Sequence, residues 1–585
     1  MIRPIAKKTI RGLGLYDPEG TAAPLLKELG LSFRNIRTQN DLAGIELLVI
    51  GRKGMKEFPF KLAEKIENGL KLLVLEQEYE ELLRMGLRGN IQGLRKVFPL
   101  SPEFELLHWW RGSSTLTTPF LELPEHESGY PSWKFNDMYS SRVWRAGNRG
   151  NVCSVLIEKA PAGNFLPLMQ GGFDLQYAPL LEMKSGKGTV LFSQLDLSGR
   201  TESDPEALTI LRKLLDRLEQ AKPHAARPVV YRGGAEGKAH LKKLNIAFSE
   251  TEQLPSNALL TAGPGAKLAD LKGRIENGLD VLVIAPEKSE LERILPAGTV
   301  LQSGRFFPAY VSGLEKHPEF AGISNADLHW RKPITLSFDP SGDGGRALRI
   351  FRIGKGRLIV SLIAPWMFEE QEFQYRTSFR RSAFLLSRLL RNLGAADASG
   401  SAIMFDRDYL AARGIELKNG WKGIADLQKT GRKNGFWKPE FKPGSNWRTV
   451  KVNSAFESQF RDLRNYDGFF WYRLNFDLKG EIRPDAEYLL NIPAVDDESW
   501  CWLNGRFIGE LSARTNPNDY WYAKRMHRFK GNLLKKRNNT LVILCNDLRN
   551  TGGIWGIPAI KAADGLRLYA DTPVADDNPY RYSRW

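Results

Sequence analysis

The first 400 residues carry one succession of motifs twice, and this repeat constrains the fold more than any other feature. KIENGLKLLVLEQ (65–77) returns as RIENGLDVLVIAP (274–286), 209 positions later. LYDPEGTAAPLLKELGLSF (15–33) aligns without a gap to VYRGGAEGKAHLKKLNIAF (230–248). SPEFELLHWWR (101–111) is echoed, with an insertion, by HPEFAGISNADLHWR, and SGKGTVLFSQLDL (185–197) by IGKGRLIVSLIAP (353–365). Each copy closes on a helical run, LTILRKLLDRL (208–218) and AFLLSRLLRNL (383–393). Matching blocks in the same order mark a tandem duplication, so any fold proposed for one copy has to serve for the other.

Within each copy, near-continuous apolar runs such as IELLVIG (45–51) and LKLLVLE (70–76) suit parallel strands buried on both faces. The intervening FPFKLAEKIENG has helical periodicity and ends at Gly69, a helix C-terminal glycine. Strands alternating with helices predict a doubly wound α/β sheet. At about 100–200 residues per domain, the 585 residues suggest three or four domains. The expected boundaries are 1–221 for the first α/β copy and 222–400 for the second, with a linker from Lys222-Pro223-His224 to Arg227-Pro228. The first copy is longer, with an extra segment around 112–184.

This pattern resembles the class I glutamine-amidotransferase-like fold, versions of which occur as non-catalytic modules in β-galactosidase-like enzymes. ENGLKLLVLE is similar to the helix-to-strand step before that family's nucleophile elbow. The resemblance implies a cysteine in the following turn, activated by a histidine. The turns read Glu76-Gln77-Glu78 and Ala285-Pro286-Glu287, without cysteine or flanking glycines, so both copies are expected to be catalytically dead scaffolds. Gly12, Gly14 and Gly20 do not meet the dinucleotide spacing, and no P-loop is present, so no cofactor is expected. His108-Trp109-Trp110 and His329-Trp330 recur in both copies, as a shared packing role requires; the other reading is an aromatic platform for sugar.

From about 401 the character changes. Nine of the 15 tryptophans lie at or after Trp421, and short runs of β-formers alternate with turn residues: GFFWYRLNFDL (468–478), EYLLNIPAV (487–495), SWCWLNG (499–505) and TLVILCND (540–547). This predicts an all-β sandwich or barrel over 401–585. Leu503-Asn504-Gly505-Arg506 signals a type I′ hairpin. WRTVKV (447–452), YDGFFWYR (466–473), VDDESWCWLNGRFIG (495–509), NNTLVILCND (538–547) and GGIWGIP (552–558) follow in order. Together, over roughly 440–562, they resemble the N-terminal sugar-binding jelly-roll, galactose-binding-like, of family 2 glycoside hydrolases: the β-galactosidase, β-glucuronidase and β-mannosidase group. The whole chain is thus expected to be multidomain, with two tandem α/β amidotransferase- or flavodoxin-like domains and then a β-jelly-roll.

The resemblance implies that Asp547 holds a sugar hydroxyl, with Asn550 second; a carboxylate forms strong, charge-assisted bonds to hydroxyls. Equally, Asp547 suits a turn-capping role toward nearby backbone N–H groups. Trp555, on a glycine-rich loop, is the expected surface aromatic, although the Trp555-Gly556 pair stands where the family has a basic residue. Trp500, Trp502 and Trp471 are expected to fill the sandwich core. Asp496-Asp497-Glu498 is an acidic cluster whose neighbours should point to opposite faces of a strand, a turn or a calcium-compatible surface site.

A family 2 catalytic centre needs two carboxylates, about 5–5.5 Å apart for retention, on a (β/α)₈ barrel of about 250 residues. Once the three domains are assigned there is no room for one. The chain starts almost at its first strand and ends in the aromatic tail DNPYRYSRW, so the expected catalytic barrel lies upstream or in a separate chain. The function read from sequence is the carbohydrate-binding, non-catalytic C-terminal region of a β-galactosidase-like glycoside hydrolase. The alternatives are a stand-alone carbohydrate-binding protein and an oligomerisation scaffold built on the paired α/β domains. The net charge of +17 divides into +8 from residue 400 onward and +9 before it, without the basic stripe of a nucleic-acid binder. An oligo- or polysaccharide partner, acidic or neutral, is compatible with it. The exposed run Lys535-Lys536-Arg537 reads as a solvated turn. No segment approaches the ~20 apolar residues of a membrane span, and MIRPIAKKTIRGLGLYDPEG has no apolar core of a secretory signal. A periplasmic or extracellular location follows only for a longer secreted enzyme. Cys153, Cys501 and Cys545 match no zinc spacing and read as buried free thiols, with Cys501 and Cys545 as strand neighbours that could pair; no metal is expected.

Overall fold

The computed structural model describes residues 9–107, 152–198, 205–368, 375–562 and 566–569, with Thr572 and a short hairpin at 133–140. Within those limits it leaves out 95–96, 136–137, 309, 341–346, 413–414, 479–481, 483, 485–486, 518–519 and 522. His108-Trp109-Trp110, most of the 112–184 insertion's first half, and the tail therefore lie outside the described residues. The chain forms two compact units, 1–404 with 567–585, and 405–566. Among the described residues no helix is long and apolar enough to cross a membrane.

In the first unit both copies show one strand order. Leu13–Tyr16, Leu47–Ile50, Lys71–Val74 and Gly188–Ser193 run parallel, and Tyr177–Ser185 closes the series antiparallel. Val229–Arg232, Leu259–Ala262, Asp280–Ile284 and Gly356–Ser361 repeat the parallel series, and Leu348–Ile353 closes it. The first sheet continues through Phe165–Gly171 and Phe98–Pro99, with Cys153–Glu158 and Gly89–Leu94 paired off its path. The central strands are buried on both faces, as their apolar runs require.

The repeated glycines have a common cause. Gly69 and Gly278 follow short helices at φ 119° and 114°, a conformation that favours glycine. The hairpins 185–188 and 353–356 then press on those helix ends: Lys187 N–H donates to Glu67 O and Lys355 N–H to Glu276 O, both at 2.9 Å. A Cβ on Gly188 or Gly356 would lie against the carbonyl oxygen of Ile66 or Ile275. The repeated ENGL and GKG blocks are thus two sides of one close contact.

The closing helix of the second copy, Arg376–Asn392, is buried along nearly its whole length. Its arginines reach into the first copy. Arg388 donates to Phe165 O at 2.6 Å and to Asn164 Oδ1 at 3.1 Å, and Arg381 pairs with Asp174 at 3.0 Å. Lys159 of the first copy pairs with Asp327 of the second at 3.1 Å, both side chains buried. The segment after 566 also returns to the first copy. Tyr569 accepts from Arg88 N–H at 2.9 Å and donates to Glu158 O at 3.0 Å, under the Arg88 guanidinium.

The second unit has two principal antiparallel sheets. The larger orders Arg448–Thr449, Lys422–Ala425, Gly468–Phe476, Asn539–Asp547, Glu498–Leu503 and Arg506–Leu511. The smaller orders Ile415–Glu416, Ala559–Ala562, Glu487–Ile492 and Arg525–Lys530. Cys501, Leu503, Ile543 and Cys545 of the larger sheet share a core with Leu490, Ile492 and Ile560 of the smaller. Asn504 (φ 50°) and Gly505 (φ 81°) make the hairpin with the positive φ its sequence calls for. All three cysteines are free and buried.

Two expectations need correction here. Trp471 and Trp502 are buried, but in a separate cluster with Trp447, Val542 and Leu544, because Cys501 and Leu503 occupy the side of the strand that faces the inter-sheet core. Trp500 only packs against that cluster, half-buried, with Arg432 over its ring at 4.7 Å.

Candidate functional site

A three-stranded ribbon at the edge of the second unit gathers segments that are remote in sequence. Gly553–Trp555 lies between Ser454–Ala455 and Ala494–Asp496, with Gly553 opposite both Ala455 and Asp496. The ribbon delivers Glu457, just past one strand, and Asp496, at the end of another. Asp547 arrives as the last residue of the long strand Asn539–Asp547, whose partner there is Gly468.

Asp547 is 1% exposed. Its Oδ1 accepts from Arg549 N–H at 3.0 Å, closing the turn that follows the strand. Its Oδ2 has no hydrogen-bond donor among the described residues, and faces the carboxyl of Glu457. Burial first, and then the neighbouring Glu457 carboxyl, push the Asp547 carboxyl up to about 8. Glu457 Oε1 meanwhile accepts from Gly552 N–H at 2.7 Å and so fastens the loop over the pair. Gly552 has to be glycine: a Cβ there would sit 2.6 Å from Asp547 Cβ and 2.6 Å from Phe456 Cε1.

A second acid pair adjoins the first. Burial, then the charge and hydrogen bond of Asp497, raise Asp496 to about 6. Asp497 accepts from Leu548 N–H at 2.9 Å. These neighbours meet, contrary to the alternation expected of a strand, because Asp497 is a bend between two strands that belong to different sheets. Glu498 turns away to accept from Asn546 at 2.9 Å and Ala513 N–H at 3.0 Å. The buried Arg525 supplies the counter-charge, donating to Ser499 Oγ at 3.1 Å and to Asp497 O at 2.5 Å. Among the described residues no three His, Cys, Asp or Glu side chains group so as to hold a metal ion.

Of the residues singled out from sequence, Asp547 is buried beneath the loop, and Asn550 is exposed on it in the left-handed region (φ 72°). Trp555 is 37% exposed beyond it. Glu457 escaped sequence reasoning. Ninety residues separate it from Asp547, and only the ribbon's pairing brings them together. Its residue type on the short helix Phe456–Gln459 carries no local signal.

No protein-family model and no curated protein sequence matches the chain. Among solved structures it is similar to β-glucuronidases of Ruminococcus gnavus, which are glycoside hydrolases. One is 18% identical over 26% of this chain and 28% of that one, with a TM-score of 0.22. Its complex with D-glucuronic acid matches at 18% identity over 26% and 29%, with a TM-score of 0.22. The chain thus spans little more than a quarter of the length of the enzymes it matches.

Proposed function

We propose that this chain is the non-catalytic, carbohydrate-binding region of a β-galactosidase-like family 2 glycoside hydrolase, whose catalytic barrel lies upstream or in a separate chain. In this reading the 405–566 unit is the jelly-roll, and its glycan face is the loop 548–555. The observation that carries the reading is the ribbon that brings Glu457, Asp496 and the loop 548–555 together at the end of the strand Asn539–Asp547. There an exposed tryptophan stands beside a loop anchored by two acid pairs.

The roles divide by exposure. Asp547 and Glu457 are sealed, so they set the loop's shape. Trp555 offers an apolar ring face to a pyranose, and Asn550 offers an amide for hydroxyls. Asp496, half-buried, is the carboxyl nearest to solvent. Two features support reading the α/β copies as degenerate amidotransferase-like scaffolds. Ala285 follows the strand Asp280–Ile284 at φ 45°, the strained strand-to-helix turn of a nucleophile elbow with only a methyl group on it. Cys153 lies on an off-path strand, where burial holds its thiol well above the usual range, far from nucleophilic use.

The test is isothermal titration of the purified chain with β-galactoside and β-glucuronide oligosaccharides, together with a chromogenic assay for hydrolysis. Binding without turnover, weakened at least tenfold in Trp555→Ala, is expected. Absence of binding across the panel, or turnover that survives stringent purification, overturns the reading.

A further inference from the structure

A cleft of about 520 Å³ opens in the second copy at the starts of the strands Asp280–Ile284 and Gly356–Ser361. Its wall carries four cations, Arg227, Arg352, Lys355 and Arg357, against one carboxylate, Asp280. Two of the cations are spent on structure. Arg357 grips Asp280 through two nitrogens, at 3.0 and 2.6 Å, and gives its third to Glu319 at 2.6 Å. Arg227 donates to Asp280 at 2.7 Å and to the carbonyls of Asn257 and Ala258 at 3.0 Å.

The other two are not spent. Arg352 and Lys355 are exposed, and their side chains have neither a hydrogen bond nor an ion pair among the described residues. Arg352 also stands directly opposite Arg357 in the antiparallel register. Directly opposed like charges on neighbouring strands repel, and a sheet keeps such a pair only against a cost. The duplicated copy shows how the same position looks when it is settled. There Lys184 stands opposite Thr189. Lys184 Nζ donates to Thr189 Oγ1 and to Lys222 O, each at 2.9 Å, so the chain itself fills the place. In the second copy the corresponding pair is two arginines, and the place is open.

We infer that this cleft binds the oxyanion group of a small anionic ligand, of the phosphate or sulfate ester class, between Arg352 and Lys355. Guanidinium supplies a planar fork for two oxygens and ammonium a point charge, the combination that oxyanions require. Gly354, in the turn between them, adds no side chain to obstruct the approach. The inference is independent of the glycan-binding proposal, since it concerns a different unit and different residues.

The experiment titrates the full chain with inorganic phosphate, sodium sulfate and sodium glucuronate at low ionic strength by calorimetry. It does so for wild type, Arg352→Gln and Lys355→Gln, with the ligand-free melting midpoint of each. Phosphate or sulfate should bind wild type, and either variant should weaken that binding at least tenfold. Arg352→Gln should leave the ligand-free midpoint unchanged or higher, because it relieves the arginine pair; a merely structural arginine would lower it. Tighter binding of phosphate marks a phosphate ester, and tighter binding of sulfate a sulfate ester. Silence with both, glucuronate binding alone, or unaltered binding in both variants overturns the inference.

Discussion

Removing the charge of Asp547 should change how the stability of the 405–566 unit depends on pH. Its carboxyl, held at about 8 against 3.8 when unfolded, favours the protonated folded state. The stabilisation is complete below about pH 4 and is lost as pH rises toward 8. At ~1.4 kcal/mol per tenfold change in proton affinity the ceiling is about 6 kcal/mol. Relaxation and water penetration around a buried charge bring this down to about 2–3 kcal/mol. Asp547→Asn keeps the size and gives Glu457 a permanent N–H donor, so its advantage over wild type should be about 2–3 kcal/mol larger near pH 8.5 than near pH 5. The buried thiols of this unit, Cys501 and Cys545, provide the assay: urea-dependent alkylation, read by mass spectrometry, reports this unit alone because Cys153 lies in the other. Comparing wild type and variant at each pH cancels the intrinsic reactivity of the thiols. Parallel curves across pH 5–8.5 would refute the raised Asp547 carboxyl.

Further outcomes follow from the packing. Gly552→Ala should cost about 1–3 kcal/mol by the same alkylation assay, since its Cβ meets Asp547 and Phe456. Gly188→Ala and Gly356→Ala should each lower the melting midpoint of the first unit by a similar amount, because both meet the same carbonyl in their own copy; a loss in only one would break the equivalence of the copies. Lys159→Met should cost about 3–5 kcal/mol by leaving Asp327 buried and unpaired, and Lys159→Met with Asp327→Leu should recover most of it in chemical denaturation. Trp555→Ala, at a 37% exposed position, should shift the unfolding free energy by less than ~0.5 kcal/mol, which leaves the glycan titration free of folding effects.

The repeated alternation of strands and helices was legible because its determinants are local: apolar runs for strands, and glycines at helix ends. The Asn504-Gly505 hairpin was legible for the same reason. What escaped depends on which strands become neighbours. Glu457 meets Asp547 through ribbon pairing, and the repulsion between Arg352 and Arg357 exists only in a fixed register. Trp502 misled because alternation tells which residues share a face, not which of two faces is the main core. Asp496 and Asp497 misled because the period-two rule holds within one strand and fails at a bend between sheets. Asp547 was singled out by resemblance, but its burial beneath Gly552 depends on a contact five residues along the chain that only the folded loop creates.

The return of Tyr569 to Arg88 and Glu158 bears on the order in which the molecule can be completed. Those residues are 481 and 411 positions apart from it in the chain. During synthesis the first copy leaves the ribosome long before the arginines of 376–392 that enter it, and longer still before the residue that closes it. Until then Glu158 and the strand edges around it await their partners, and contacts so distant in sequence form slowly. A nascent chain halted anywhere before 569 should therefore hold its oldest part without the contact that closes it.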